Sequence, residues 1–260
     1  MTKGAGPSPR PPVSLTGWAR IALRSIAMVL MLIVGIPFYH LWRPFTRHNP
    51  WPRYFLSTIA KIIGLRIDVK SEPRRHGSFI LANHVSWLDI PALTSVTGTA
   101  FVAHDGLTVH GWLHWLASLN DTVFIARHDR KSVARQVEQV REAVRETGSL
   151  AIFPEGTTAD GQELLPFKSS LLSAITPVPD GIVVQPVLID YGDDAGDIAW
   201  IGDEPGLDNF LRIAARSRSI RVTIHFLQPL GGDDLANRKT IATAAREAIG
   251  RALETKDCNP

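Results

Sequence analysis

His84 and Asp89, five positions apart in the stretch FILANHVSWLDIPAL (79 to 93), are the side chains of this chain best suited to moving a proton. An imidazole takes a proton near neutral pH, and a carboxylate beside it fixes its tautomer and stabilises the imidazolium that forms. On one regular helix, positions five apart lie about 140° out of phase and cannot face each other. Pro91 points to a different geometry. Its missing N–H and fixed φ are tolerated only in a first helical turn, so the helix is expected to start near 87 to 90, with His84 in the turn before it and Asp89 at its mouth. The imidazole can then fold back onto the carboxylate. This is a hydrolase triad without its serine, so the hydroxyl or amine of a substrate is the natural nucleophile. An ordinary capped turn would use the same residues.

A second apolar run ends in polar residues at SLAIFPEGTTADG (149 to 161), where strand character gives way to Pro154, Glu155, Gly156, Thr157 and Thr158. Gly156 permits a tight turn or a close approach of backbone to ligand, and the N–H groups after it could receive an anion or an oxyanion. A solvated β-turn has the same composition.

NHVSWLD and FPEGTT, about seventy residues apart, together resemble the first and third motifs of the glycerophospholipid acyltransferase family, enzymes similar to 1-acylglycerol-3-phosphate acyltransferase. The first is the H-x4-D pattern. The family's second motif is matched by VFIAR, which gives Arg127 the role of an acceptor-binding cation. Its fourth is matched by VVQPVLI around Pro186, and a basic residue beyond FPEGT is matched by Lys168. The matches keep the family's order over residues 79 to 190. The resemblance implies an enzyme that moves a fatty acyl group from acyl carrier protein or coenzyme A to the free hydroxyl of a lysolipid of the 1-acylglycerol-3-phosphate type. It implies no cofactor and no metal. His84 would be the base, oriented by Asp89, while Glu155, Gly156, Thr157, Thr158, Lys168 and Arg127 would bind substrate.

One departure bears on the acceptor. Glycerol-phosphate-directed members commonly carry arginine straight after FPEGT, where this chain has Thr158. A neutral hydroxyl cannot replace a guanidinium fork on a phosphate. The run TTADGQELLPFKSSL resembles the branch that O-acylates lyso-ornithine lipid, which is the leading alternative with the same chemistry. A catalytically silent, membrane-anchored lipid binder on the same fold is the rival from another class. Transfer to an amine is a further one, since a His–Asp base serves either nucleophile.

These motifs need strands to deliver them, and from residue 65 the chain alternates strand and helix signals. LRIDVK (65 to 70) alternates strictly, and short apolar strands are expected near 78 to 82, 100 to 103, 122 to 126, 149 to 153, 182 to 189 and 220 to 227. The clearest helix is 131 to 147, with Val133, Val137, Val140 and Val144 as one stripe and Gly148 as its stop. A last helix near 235 to 254 is expected to cover the sheet edge. The pattern predicts an α/β fold, a largely parallel or mixed sheet flanked by helices, with an N-terminal membrane-associated helical segment.

Residues 1 to 14 read as a disordered tail, 15 to 65 as membrane anchor and interfacial helices, and 66 to 260 as the acyltransferase domain. Within 25 to 42 lie 18 uncharged residues, close to the minimum for crossing a bilayer. Gly35 and Pro37 invite a bend, and no A-x-A cleavage site follows, so an uncleaved anchor is expected. WPRYFLSTIAKIIGL (51 to 65) carries apolar residues at helical spacing with Arg53 and Lys61 on one edge, which suits either the headgroup region or the domain core.

The formal charge of +3 hides an asymmetry. Residues 1 to 60 carry +7 with no acid and the remainder −4, so the basic part is the part expected to touch anionic membrane lipid. No base-stacking platform accompanies it, which argues against nucleic acid. The basic cluster at 127 to 135 could meet an acyl carrier protein. His110 and His114 stand at i and i+4 without a glutamate to complete a zinc-helix pattern. The single cysteine, Cys258, excludes an intrachain disulfide and fits a catalytic domain on the cytosolic face of the inner membrane. There is no GxSxG, GxxxxGKS or GxGxxG.

Overall fold

SFILA offers no polar face, and the strand it forms is buried along its whole length, as expected for the middle of a parallel sheet covered on both sides. The computed structural model describes residues 13–45, 49–74, 76–104, 115, 117–120, 122–125 and 133–256. Among them, two helices, α1 (Leu15–Trp42) and α2 (Trp51–Ile63), precede β1 (Leu65–Lys70) and β2 (Ser78–Ala82). Then come α3 (Asp89–Thr97), β3 (Ala100–His104), β4 (Val123–Ile125), α4 (Val133–Thr147) and β5 (Ser149–Ile152). A 3-10 turn (Ser169–Ile175), β6 (Val183–Asp190), a single helical turn (Ala195–Ile198), α5 (Gly206–Ala215), β7 (Ile220–Phe226) and α6 (Arg238–Lys256) follow, with two further short 3-10 turns. The seven strands form one sheet in the order β1-β7-β6-β2-β5-β3-β4. Only β6 and β7 pair antiparallel, so the sheet is mixed and its site-bearing part is parallel.

Alternation along the strands sends side chains to two cores. Ile80, Ala82, Ala151, Val187, Ile189 and Val222 share one cluster with α3 and with Ile213 and Ala214 of α5. Phe79, Leu81, Leu150, Ile152 and Val184 point the other way, onto Val140 and Val144 of α4, the 3-10 turn, and Ile241 and Ala245 of α6. The result is a three-layer sandwich. Gly148 ends α4 as the sequence predicts, with φ +83° and its N–H on the Val144 carbonyl at 2.8 Å. The side chains of Val133 and Val137 lie outside the described residues. The last helix differs from expectation. It packs over the face of β6, where Ile249 and Leu253 meet Leu188, because the outward side chains of β6 need a cover and α6 carries small and apolar residues every fourth position.

The N-terminal helices join this body. Ser14 caps α1, its hydroxyl accepting the Gly17 N–H at 3.1 Å, so the helix begins ten residues before the uncharged run and continues through Gly35 and Pro37. Ile21 and Ile63 belong to the same cluster as the sheet and α3. Ile59, Ala60 and Ile63 are the buried residues of α2. Of the two readings left open for this helix, packing on the domain is the one observed. α1 is long and apolar enough to cross a membrane by length and composition. Its exposed Ile26, Leu30 and Ile33 form an outward stripe, while its inner face lies on α2, where Phe38 and Trp51 stack at 4.6 Å.

Three basic residues of this region serve the protein itself. Arg20 Nε donates to the Ala215 carbonyl at 2.8 Å. Arg24 donates to those of Ala214 (2.8 Å) and Arg216 (3.0 Å). Arg53 reaches the carbonyls of Ser95 and Val96 at 3.2 and 3.3 Å. The last carbonyls of a helix have no partner within it and carry partial negative charge, so cations there satisfy the C-terminal turns of α5 and α3. The expectation that the whole basic segment faces lipid is corrected for these three.

Candidate active site

The order β6-β2-β5 places three parallel strands side by side, and their C-terminal ends deliver the polar residues to one place. That end of an open α/β sheet is where ligand-binding loops gather. β2 runs into Asn83 and His84, β5 into Phe153 and Glu155, and β6 into Tyr191. Asn83 ties the first and third ends together: its amide donates to the Ile189 carbonyl at 3.0 Å, and the Ile189 N–H returns to its Oδ1 at 2.7 Å.

α3 begins at Asp89 with Pro91 in its first turn, as read from the sequence, and His84 folds back onto it. The distance from His84 Nδ1 to Asp89 Oδ2 is 2.7 Å. A carboxylate only accepts, so Nδ1 carries the proton and Nε2 keeps its lone pair for a substrate. The Asp89 carboxylate is fully buried and well supplied with donors. Oδ2 also accepts the N–H groups of Val85 and Ser86 at 2.7 and 3.0 Å, and Oδ1 accepts the Tyr191 hydroxyl at 2.8 Å. The imidazole lies against Phe153, with ring centroids 4.1 Å apart and planes within 11°, and 19% of its side chain stays exposed.

Glu155 is placed differently from a group that meets acceptor hydroxyls. It is buried, and its two oxygens accept the His84 N–H at 2.9 Å and the Leu165 N–H at 3.1 Å. Burial drives its carboxyl up to about 7, against the downward pull of those two N–H groups. Glu155 therefore bolts the FPEGTT turn to the histidine. The reason is topological, since β5 lies beside β2 and its end points at the backbone of residue 84. A second strap crosses the same place, from the Ala159 N–H to the His84 carbonyl at 2.7 Å.

Gly156 adopts φ +67°, and a Cβ there would stand 3.2 Å from Lys168 Nζ. The structure thus brings Lys168, twelve residues on, to the glycine turn as an exposed cation. Thr157 is exposed beside it. Thr158 turns inward and donates its hydroxyl to the Trp200 carbonyl, while the Trp200 N–H reaches the Val85 carbonyl at 3.0 Å. Arg127, the basic cluster at 127 to 132, His110, His114 and Cys258 lie outside the described residues. Among the described residues no group of three or more His, Cys, Asp or Glu stands close enough to hold a metal.

Sequence reasoning missed Tyr191, Phe153 and Trp200 as members of this site. Phe153 adjoins a motif and could have been suspected from that. Tyr191 and Trp200 carry no local signal, since only the pairing of β6 with β2 brings them near.

The comparisons with known proteins agree with this geometry. A family profile described as Acyltransferase matches residues 66–190. The lyso-ornithine lipid O-acyltransferase of Rhodobacter capsulatus is 33% identical over 95% of this chain and 94% of its own length. The 1-acyl-sn-glycerol-3-phosphate acyltransferase of Neisseria gonorrhoeae is 32% identical over 52% of each chain. Among solved structures, the 1-acyl-sn-glycerophosphate (LPA) acyltransferase PlsC from Thermotoga maritima superposes with a TM-score of 0.62 at 21% identity, covering 94% of this chain and 99% of that one. That likeness shows the fold.

Proposed function

This chain belongs to the acyltransferase family, and from that premise we propose that it acylates the free hydroxyl of lyso-ornithine lipid, with the acyl group supplied as a thioester of acyl carrier protein or coenzyme A. His84 Nε2 takes the proton of the acceptor hydroxyl as that oxygen attacks the thioester carbonyl. The carbon–sulfur bond then breaks, and the imidazolium returns its proton to the departing thiolate. Asp89 holds the imidazolium through Nδ1, and Phe153 holds the plane of the ring.

The observation that carries the choice of acceptor is Thr158. A glycerol-phosphate enzyme of this family would present a guanidinium there; this chain has a hydroxyl already engaged by the Trp200 carbonyl. The Rhodobacter capsulatus relative, matched along 94% of its length, is also a lyso-ornithine lipid enzyme by name. Lysophosphatidic acid is the second reading, and it is favoured by Lys168, a cation standing over Gly156. An acyl-transfer assay on membranes carrying wild type or His84→Ala decides between them, with both acceptors and both labelled donors offered in parallel. General-base catalysis contributes about 10² to 10⁴ in rate, so His84→Ala should lose at least about a hundredfold. Near-normal turnover by that variant would refute the mechanism. His84-dependent product from lysophosphatidic acid alone would overturn the acceptor.

The site is held at the inner leaflet, facing the cytosol. α1 reads as lying in the membrane plane with its outward stripe in the acyl region, because its other side packs against α2 and α5. Single cysteines at Ser14 and Phe45, in a chain with Cys258→Ser, should both react with an impermeant maleimide applied from the cytosolic side. Labelling of the two from opposite sides would mean that α1 crosses.

A further inference from the structure

We propose that Tyr191 is a positioning residue for the His84–Asp89 base, its hydroxyl holding the carboxylate so that Oδ2 faces the imidazole. The inference rests on the general-base reading of His84 and deepens it.

Asp89 has two oxygens and four neighbours that need them. Oδ2 takes His84 and the N–H groups of Val85 and Ser86. Oδ1 faces the opposite way, and Tyr191 is the donor that meets it there. The phenol comes from the end of β6, which the Asn83 and Ile189 bonds lock to the end of β2. Its hydroxyl is therefore as firmly placed as the histidine. Tyr191 is itself buried, and burial first, then the charge of Asp89 and the bond to it, push its hydroxyl well above the ordinary range. It stays a neutral donor throughout the working pH range.

Two consequences follow. Without the phenol, Oδ1 is a buried carboxylate oxygen with no donor, and the carboxylate can rock about its Oδ2 contacts, which spoils the aim of the imidazole while leaving the contact to it. A donor on Oδ1 also spreads the charge of Asp89, so removing it leaves a stronger partner for the imidazolium. Among the described residues, the titratable groups around this pair are Glu155, whose carboxyl senses both His84 and Asp89, Tyr191 itself, and Lys168 beyond Gly156. None of the others touches Oδ1.

The test uses the full chain in vesicles and Tyr191→Phe, which keeps the shape of the ring. The kcat should fall about tenfold with the acceptor KM unchanged, a loss typical of a hydrogen bond to a charged group, and the acidic limb of the kcat/KM profile should move to higher pH. Combined with Asp89→Asn, which already removes the charge, Tyr191→Phe should cost less than about threefold more. Additive losses in that cycle would assign Tyr191 a purely structural role and overturn the proposal. Carbethoxylation of His84, read by peptide mass spectrometry across pH, gives a second readout independent of turnover. Its midpoint should rise by about half a pH unit or more in Tyr191→Phe. If that variant fails to fold, biosynthetic 3-fluorotyrosine, which replaces all three tyrosines with stronger donors of the same shape, should lower the midpoint. An unmoved midpoint in either case defeats the inference. Turnover by His84→Ala would instead sink the general-base reading, so the two failures are distinguishable.

Discussion

Glu155 shows how far a residue's role can depart from what its type suggests. A carboxylate next to a histidine in a polar turn reads as a substrate contact, yet both oxygens are occupied by backbone N–H groups. Its carboxyl lies at about 7 in the folded protein against an ordinary 4.5, so between those values the folded state holds the proton more tightly than the unfolded one. The associated stability is present at low pH and is lost as pH rises from about 4.5 through about 7, by on the order of 3 kcal/mol in total. Glu155→Gln cannot ionise and should flatten that decline in thermal unfolding measured across pH. It should also carry a constant cost of about 1 to 3 kcal/mol, because the amide nitrogen faces a backbone N–H. An undiminished decline in the variant would place the titration elsewhere.

At the scale of elements, the basic residues of α1 act as caps for a helix that is distant in sequence. Arg20 and Arg24 reach the last carbonyls of α5 across about 190 residues of chain, and each such bond contributes roughly 0.5 to 1.5 kcal/mol, more with a charged donor. Arg20→Ala with Arg24→Ala should therefore lower unfolding stability by about 2 to 4 kcal/mol. Lys3 and Arg10 can be neutralised as a control, which should leave stability unchanged. Equal effects from the two pairs would mean that general charge, and not capping, is what matters. The sequence marked these arginines as basic but not as caps, because an unsatisfied helix end has no signature in the segment that eventually covers it.

For the whole molecule, the apolar stripe of α1 is the surface to test for membrane attachment. Deleting residues 1 to 65 would be a poor test, since Ile21, Ile59 and Ile63 are buried in the protein and their loss would damage the core. Ile26, Leu30 and Ile33 are exposed, so changing all three to serine spares the fold. Each apolar side chain moved out of lipid costs about 1.5 to 3 kcal/mol, and the triple variant should bind vesicles of phosphatidylethanolamine and phosphatidylglycerol at least about a hundredfold more weakly by sedimentation. Unaltered pelleting with unaltered thermal stability would mean that another surface attaches the enzyme.

The sequence by itself determined the strands, the start of α3 and the His84–Asp89 pair. Alternating or continuous apolar runs, a proline in a first turn and a five-residue spacing are local facts, and local geometry decides them. It also showed Thr158 where glycerol-phosphate-directed members of the family commonly carry arginine. Tertiary structure alone decided that β6, β2 and β5 lie side by side, and everything non-local follows from that order: Tyr191 on Asp89, Glu155 on the backbone of His84, Trp200 on Thr158, and Lys168 over Gly156. Partners far apart in the chain meet only when the sheet is assembled, because hydrogen bonds between strand ends depend on which strands are neighbours and in what register, and no single segment contains that information.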